Sequence, residues 1–183
     1  MALPVHKKMK PKRLARRVIH KSQWVNHYVD RVLFPAGRII EEHHILDFPK
    51  EGVTALVVND KKELLFVQAY RYPIDDICWE LPAGGREKGE SVLETAAREV
   101  KEETGYETYN HKHIYTFHPI VGISNKVYHV VTCTAAQGTG VFDKNEIKSI
   151  AWFSYDKINE MLQERVITDG FTLGALLVYL HKV

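Results

Sequence analysis

The chain reads as an α+β fold of the sandwich type, a mixed sheet covered by a few helices. Three observations carry that reading. Short segments rich in β-branched and aromatic residues recur along most of the 183 residues, each closed by turn chemistry. One sharply capped amphipathic helix interrupts them after residue 90, and two further helical stretches end the sequence. A composition of 45% hydrophobic and 26% charged residues suits a folded core.

Residues 24–33 and 38–48 are strand-like, and Pro35, Ala36 and Gly37 between them make a hairpin turn. Near Gly52 the character of the chain changes. Residues 53–58 and 63–70 form a second hairpin about the polar turn Asn59, Asp60, Lys61 and Lys62. Residues 77–81 are a short apolar strand running into Pro82, Ala83, Gly84 and Gly85, a stretch that breaks regular structure and lets backbone approach a ligand. The helix begins at Ser91, because Ser91 and Glu94 have capping-box spacing. Val92, Leu93, Ala96, Ala97 and Val100 fill one face before Gly105 ends it. Residues 108–117, 126–135 and 147–153 are predicted strands; 155–163 and 171–181 are predicted helices.

Charge is unevenly spread. Residues 1–29 hold eight Lys or Arg and no Asp or Glu, so against an overall +2 the rest of the chain carries −6. An acidic body is a poor nucleic-acid-binding surface, so nucleic acid is not an expected partner. The basic segment 1–17 is expected to be a flexible, solvated tail, with contact to RNA or anionic lipid, or a mitochondrial presequence, as alternatives. No apolar run approaches the roughly 20 residues that span a bilayer, and the first ten residues lack a secretory apolar stretch, so a cytoplasmic, membrane-free protein is expected. Cys78 and Cys133 sit in apolar, strand-like surroundings and are expected as buried thiols, with a disulfide as the alternative.

On the helix after Ser91, Glu99 and Glu103 are four apart and Glu102 is three from Glu99, so all three project from one side. Arg98 can neutralise one of them. Two uses remain open on geometry alone: a solvated acidic face, or a site for a hard divalent cation such as Mg²⁺, which takes one or two carboxylates and offers its free positions to phosphate.

Residues 84–106 read GGREKGESVLETAAREVKEETGY. Gly84, Glu90, Arg98, Glu99, Val100, Glu102, Glu103 and Gly105 match the pattern G-x5-E-x7-R-E-U-x-E-E-x-G-U, where U is bulky and apolar, with Tyr106 at the last position. This resembles the Nudix box. The resemblance, covering roughly residues 51–182, implies an α/β/α sandwich whose loop-helix-loop binds divalent metal and hydrolyses a nucleoside diphosphate linked to another group. It also implies Glu99, Glu103 and the backbone carbonyl of Ala83 as metal ligands, with Mg²⁺ or alternatively Mn²⁺ as the ion. Glu102 would support the metal or its waters, and Arg98 with Glu90 would tie loop to helix. Related diphosphate-sugar hydrolases often take a general base or a further metal ligand from an acidic loop ahead of a late strand, which makes Glu146 the candidate base here, with a surface glutamate of no role as the alternative.

Four features outside the box resemble the branch acting on ADP-ribose and nucleotide sugars. They are Tyr70 to Pro73, Trp79 to Gly84, the hairpin before Gly52, and Ile167 to Thr172 leading into Ala175 and Leu176. In that branch Arg71 would grip the diphosphate, since guanidinium matches phosphate geometry. A surface ion pair is its alternative. The N-terminal hairpin would form a homodimer, with Trp24 stacking on the base or packing in the dimer. Val121 stands where ADP-ribose hydrolases tend to carry proline, so the expected substrates are nucleoside diphosphate sugars as a class. The expected organisation is a tail over 1–17, a β extension over 18–50 and a Nudix hydrolase domain over 51–183. Rival substrates are dinucleoside polyphosphates, nucleoside triphosphates and RNA caps; a silent ADP-ribose-binding module is the rival of another class.

Overall fold

A computed structural model describes residues 10–138, 141–142, 144 and 146–181. The chain divides into two compact units. The first comprises the residues up to Pro49 together with Ile120–Lys126, and the second Lys50–Pro119 with Val127–Val183.

The first unit is a three-stranded antiparallel sheet in the order β1 (Lys12–His20), β2 (Asn26–Leu33), β3 (Ile39–Asp47). Its second and third strands are the hairpin over 24–48, turned at Gly37 with a φ of 87° that costs glycine little. Residues 12–17 differ from the expected flexible tail, because they are the start of β1; residues 1–9 lie outside the described residues. The reason is that the basic side chains find partners on the neighbouring strands. Arg16 donates to both carboxylate oxygens of Asp30 at 2.7 and 2.8 Å and lies over the Tyr28 ring, while Arg17 pairs with Glu42. Every residue of β1 is nonetheless exposed. Segment 120–126 joins this unit through backbone and side-chain bonds: Leu46 N–H to Ile123 O, Phe48 N–H to Asn125 Oδ1, and Asn125 Nδ2 to Asp47.

The second unit contains β4 (Gly52–Val58), β5 (Leu64–Arg71), β6 (Asp76–Glu80), β7 (Ala83–Gly85), α1 (Val92–Thr104), β8 (Tyr106–Phe117), β9 (Tyr128–Gly138), β10 (Ile147–Phe153), α2 (Tyr155–Gln163) and α3 (Gly170–Leu180). Its sheet runs β10-β5-β4-β9-β8, with β6 added on β5 and β7 on β4. The β4–β9 pair is parallel and the others antiparallel. β4 is apolar on nearly every residue because both of its faces are covered. Val53, Ala55 and Val57 pack with Val131 and Cys133 against Ala96 and Val100 of α1. On the opposite face Leu56, Phe66 and Val130 pack against Ile158 and Met161 of α2 and Ala175 and Leu176 of α3. The unit is an α/β/α sandwich.

Local chemistry sets the ends of these elements. Asn59 Oδ1 accepts from the N–H groups of Lys61 and Glu63, closing the β4–β5 turn. α1 carries both bonds of a capping box, and Gly105 closes it at a φ of 75°. Its buried face differs from the expected one: Thr95, Ala96, Val100 and Thr104 are buried, whereas Leu93 is exposed. Thr95 replaces it inward because its hydroxyl is satisfied by Glu90 and by the Ser91 carbonyl. Residues 83–85, expected to break regular structure, pair with Gly52–Thr54 as β7. Cys78 and Cys133 are both free and buried. Among the described residues no helix is long and apolar enough to cross a membrane.

Candidate active site

α1 presents its acidic side toward the β7 loop, and Arg98 sits at the centre of the junction. Its Nε donates to Glu90 at 2.7 Å, Nη1 to Glu99 at 2.8 Å and to Glu102 at 3.0 Å, and Nη2 to the Gly85 carbonyl at 3.0 Å. Glu90 also accepts from the Glu87 N–H and the Thr95 hydroxyl. The neighbouring guanidinium and these donors hold its carboxyl down at about 2. One guanidinium thus ties loop to helix at both ends. Gly84 completes the joint: a Cβ there would overlap the Glu99 carboxylate, so a side chain at 84 and a carboxylate at 99 compete for one space.

Glu99, Glu102, Glu103 and Glu146 line one cavity of about 380 Å³. Burial raises Glu99 above the usual carboxylate range, with Arg98 opposing the shift. Burial pushes Glu103 up to about 8, although it accepts a hydrogen bond from Ala83 N–H at 3.1 Å. Both shifts say that negative charge here lacks sufficient compensation from the protein. Oxygen donors crowded around one space suit a hard divalent cation. Among the described residues no three acidic, imidazole or thiol groups already converge on one point. The bonding explains this: Glu99 and Glu102 turn to Arg98, and Glu103 to the Ala83 amide.

The Ala83–Glu103 bond joins this space to a second cavity of about 440 Å³, whose lining includes Arg71, Glu80, Ala83, Tyr128, Asp169 and Phe171. Arg71, on β5, donates through Nε and Nη2 to both oxygens of buried Glu80 on β6. That pair keeps the guanidinium firmly protonated. Asp169 caps α3 by accepting from Thr172 N–H at 2.7 Å, and Thr172 Oγ1 accepts from Leu81 N–H, fixing α3 against the end of β6. Tyr128 stacks on Phe171 with ring centres 4.0 Å apart.

Of the residues singled out by sequence, Ala83, Gly84, Glu90, Arg98, Glu99, Glu102, Glu103 and Glu146 come together about the β7–α1 junction and the acidic cavity. Gly105 caps the far end of α1. Arg71 lines the adjoining cavity, held in an ion pair. Trp24 belongs to the first unit, in the turn between β1 and β2, and is 68% exposed. In the loop carrying Glu146, Asp143 and Asn145 lie outside the described residues. Sequence reasoning assigned no role to Glu80, Tyr128, Asp169 or Phe171. An opposite charge on the same hairpin as Arg71 was the signal for Glu80; Tyr128 and Phe171 meet only through the fold.

An α/β/α sandwich with an acid-rich helix locked to a glycine loop, and a cavity on each side of that lock, defines a hydrolase of the loop-helix-loop class. A family model described as the NUDIX domain matches residues 49–171. The chain belongs to the Nudix family and is a Nudix hydrolase, an enzyme family whose members generally use divalent metals. It is 33% identical to a CMP-5′-(N-acetyl-N-hydroxy-3-aminopropyl)phosphonate hydrolase of Streptomyces rubellomurinus, over 88% of this chain and 79% of the relative. It is 27% identical to an ADP-ribose pyrophosphatase of Bacillus subtilis, over 93% and 92% of the two chains. The fold matches a crystal structure of an ADP compounds hydrolase with a TM-score of 0.82 at 16% identity, covering 94% of this chain and 93% of the other.

Proposed function

We propose that the protein is a metal-dependent hydrolase that cleaves the diphosphate of nucleoside diphosphate sugars, ADP-ribose included, to a nucleoside monophosphate and a sugar phosphate. The observation that carries this is the adjacency of the two cavities across Ala83: one lined by four carboxylates, the other by an arginine and an aromatic pair. Two relatives carry names with different nucleotides, CMP in one and ADP in the other, which speaks against a fixed preference for one base.

In this reading Glu99, Glu103 and the Ala83 carbonyl hold Mg²⁺ or Mn²⁺. The bound ion supplies charge withdrawal from the diphosphate and a lowered pKa for the attacking water. Glu102 supports that site, and Glu146, on the wall of the same cavity, takes the proton from water. Arg98 and Glu90 keep the loop seated so that the acids stay aligned. Arg71, already oriented by Glu80, binds the diphosphate with the guanidinium edge that the pair leaves over. Trp24, exposed in its own unit, is the proposed stacking partner of the base, and the first unit is the proposed homodimer contact. Two free thiols suit a reducing, cytoplasmic setting.

The test is a panel of nucleotide sugars, dinucleoside polyphosphates and triphosphates, assayed with Mg²⁺ or Mn²⁺ for phosphate-monoester release. Hydrolysis of several nucleotide sugars at comparable kcat/KM is expected. Much faster cleavage of triphosphates or dinucleoside polyphosphates would overturn the substrate class.

A further inference from the structure

We propose that the hydroxyl of Tyr128 binds the substrate, donating a hydrogen bond to an oxygen of the diphosphate in the cavity beside Ala83. The inference rests on the nucleotide-sugar reading and adds a residue to it. Tyr128 begins β9 and is 5% exposed. Its ring is used up by the protein. Phe171 stacks on it at 4.0 Å with the planes 13° apart, Phe117 packs beside it at 5.6 Å, and the Gly52 backbone lies so close that a Cβ there would overlap the ring. No face is left for a base to stack on.

The oxygen at the end of that ring is treated differently. Among the described residues it has no hydrogen-bond partner, yet no fully enclosed side-chain nitrogen or oxygen in the described structure goes without one. The hydroxyl therefore opens onto the cavity that Tyr128 lines together with Arg71 and Ala83. Burial and the nearby carboxylates of Asp169, Glu103 and Glu80 raise its pKa and keep it protonated. A protonated phenol in this position is a donor in search of an acceptor. In the proposed substrates the strongest acceptors are the diphosphate oxygens, and the guanidinium of Arg71 shares the same cavity and suits the same group.

Tyr128→Phe removes this oxygen and keeps the ring. The wild type and the variant are compared for hydrolysis of ADP-ribose with Mg²⁺ and for thermal stability without substrate. The expected result is a fall of about tenfold or more in kcat/KM, as for a lost hydrogen bond to a charged group, together with an unchanged or higher Tm. A structural hydroxyl would give the reverse signature, and a lower Tm or an unfolded variant overturns the proposal. Equal kcat/KM in an active wild type and variant overturns it while leaving the functional reading intact. A wild type that cleaves no nucleotide sugar overturns both.

Discussion

Four carboxylates line the acidic cavity and two of them, Glu99 and Glu102, share Arg98, while across Ala83 the charged side chains of the second cavity already have partners in the chain. Arg71 is matched by Glu80, and Asp169 by the first turn of α3. The two spaces share a wall and differ in what completes them. Charge in the second cavity is spent on holding shape, so a ligand there would meet a preformed surface. Charge in the first lacks such partners, and burial drives Glu103 up to about 8, so the cavity takes up a proton or, in the proposed function, a bound cation.

The sharpest way to break this contrast is Glu103→Gln, which keeps shape and the acceptor for Ala83 N–H but removes the charge proposed to hold the metal. Activity with Mg²⁺ should fall on the order of a thousandfold, a loss of electrostatic stabilisation, with the fold intact by circular dichroism. Near-normal turnover would show that the acidic cavity does not need that charge. Removing residues 1–49 asks whether the cavity pair suffices by itself. Monomer, or insoluble protein with impaired substrate binding, is expected by light scattering and titration calorimetry, because segment 120–126 loses its bonds to β3. A truncated chain that stays dimeric and active would refute the dimer proposal.

Arg71→Ala attacks the balanced cavity instead. It should lower kcat/KM by a similar factor for every nucleotide sugar, since the diphosphate is common to all, and cost about 2 kcal/mol of stability because Glu80 is left buried without its partner. Uneven losses across substrates would place Arg71 against the sugar or base. The smallest effect is expected from Glu90→Gln, read as Tm against pH. Glu90 has a folded pKa depressed to about 2, below the unfolded value, so its contribution is fully present above about 4.5 and is lost as pH falls toward 2. The variant should lie a few degrees below the wild type at pH 7 and converge with it in acid. Parallel curves would mean that Arg98 draws no stability from Glu90.

What the sequence shows and what it hides divides along the range of the interactions. α1 is readable because its caps, Ser91, Glu94 and Gly105, act within a few residues. The acids of α1 were readable because helix spacing alone puts them on one side. β1 was hidden: a segment as basic as 12–17 resembles a solvated tail until Asp30 and Glu42 on the next strands answer it. The helical pattern alone sends Leu93 to the core, whereas in the fold Thr95, satisfied by Glu90, takes the inward place. Tyr128 had no local signal, since its ring partners come from α3, β8 and the first residue of β4.

The parallel pairing of β4 with β9 has a consequence for biosynthesis. The strand that zips along the length of β4 is made only after β5, α1 and β8 have followed it. Until then β4, buried on nearly every residue of the finished fold, offers an unpaired edge, the kind of surface that invites association between nascent chains. A message cut short before residues 128–134 yields a chain that keeps the acidic helix and its packing on β4 but lacks the strand that pairs along β4.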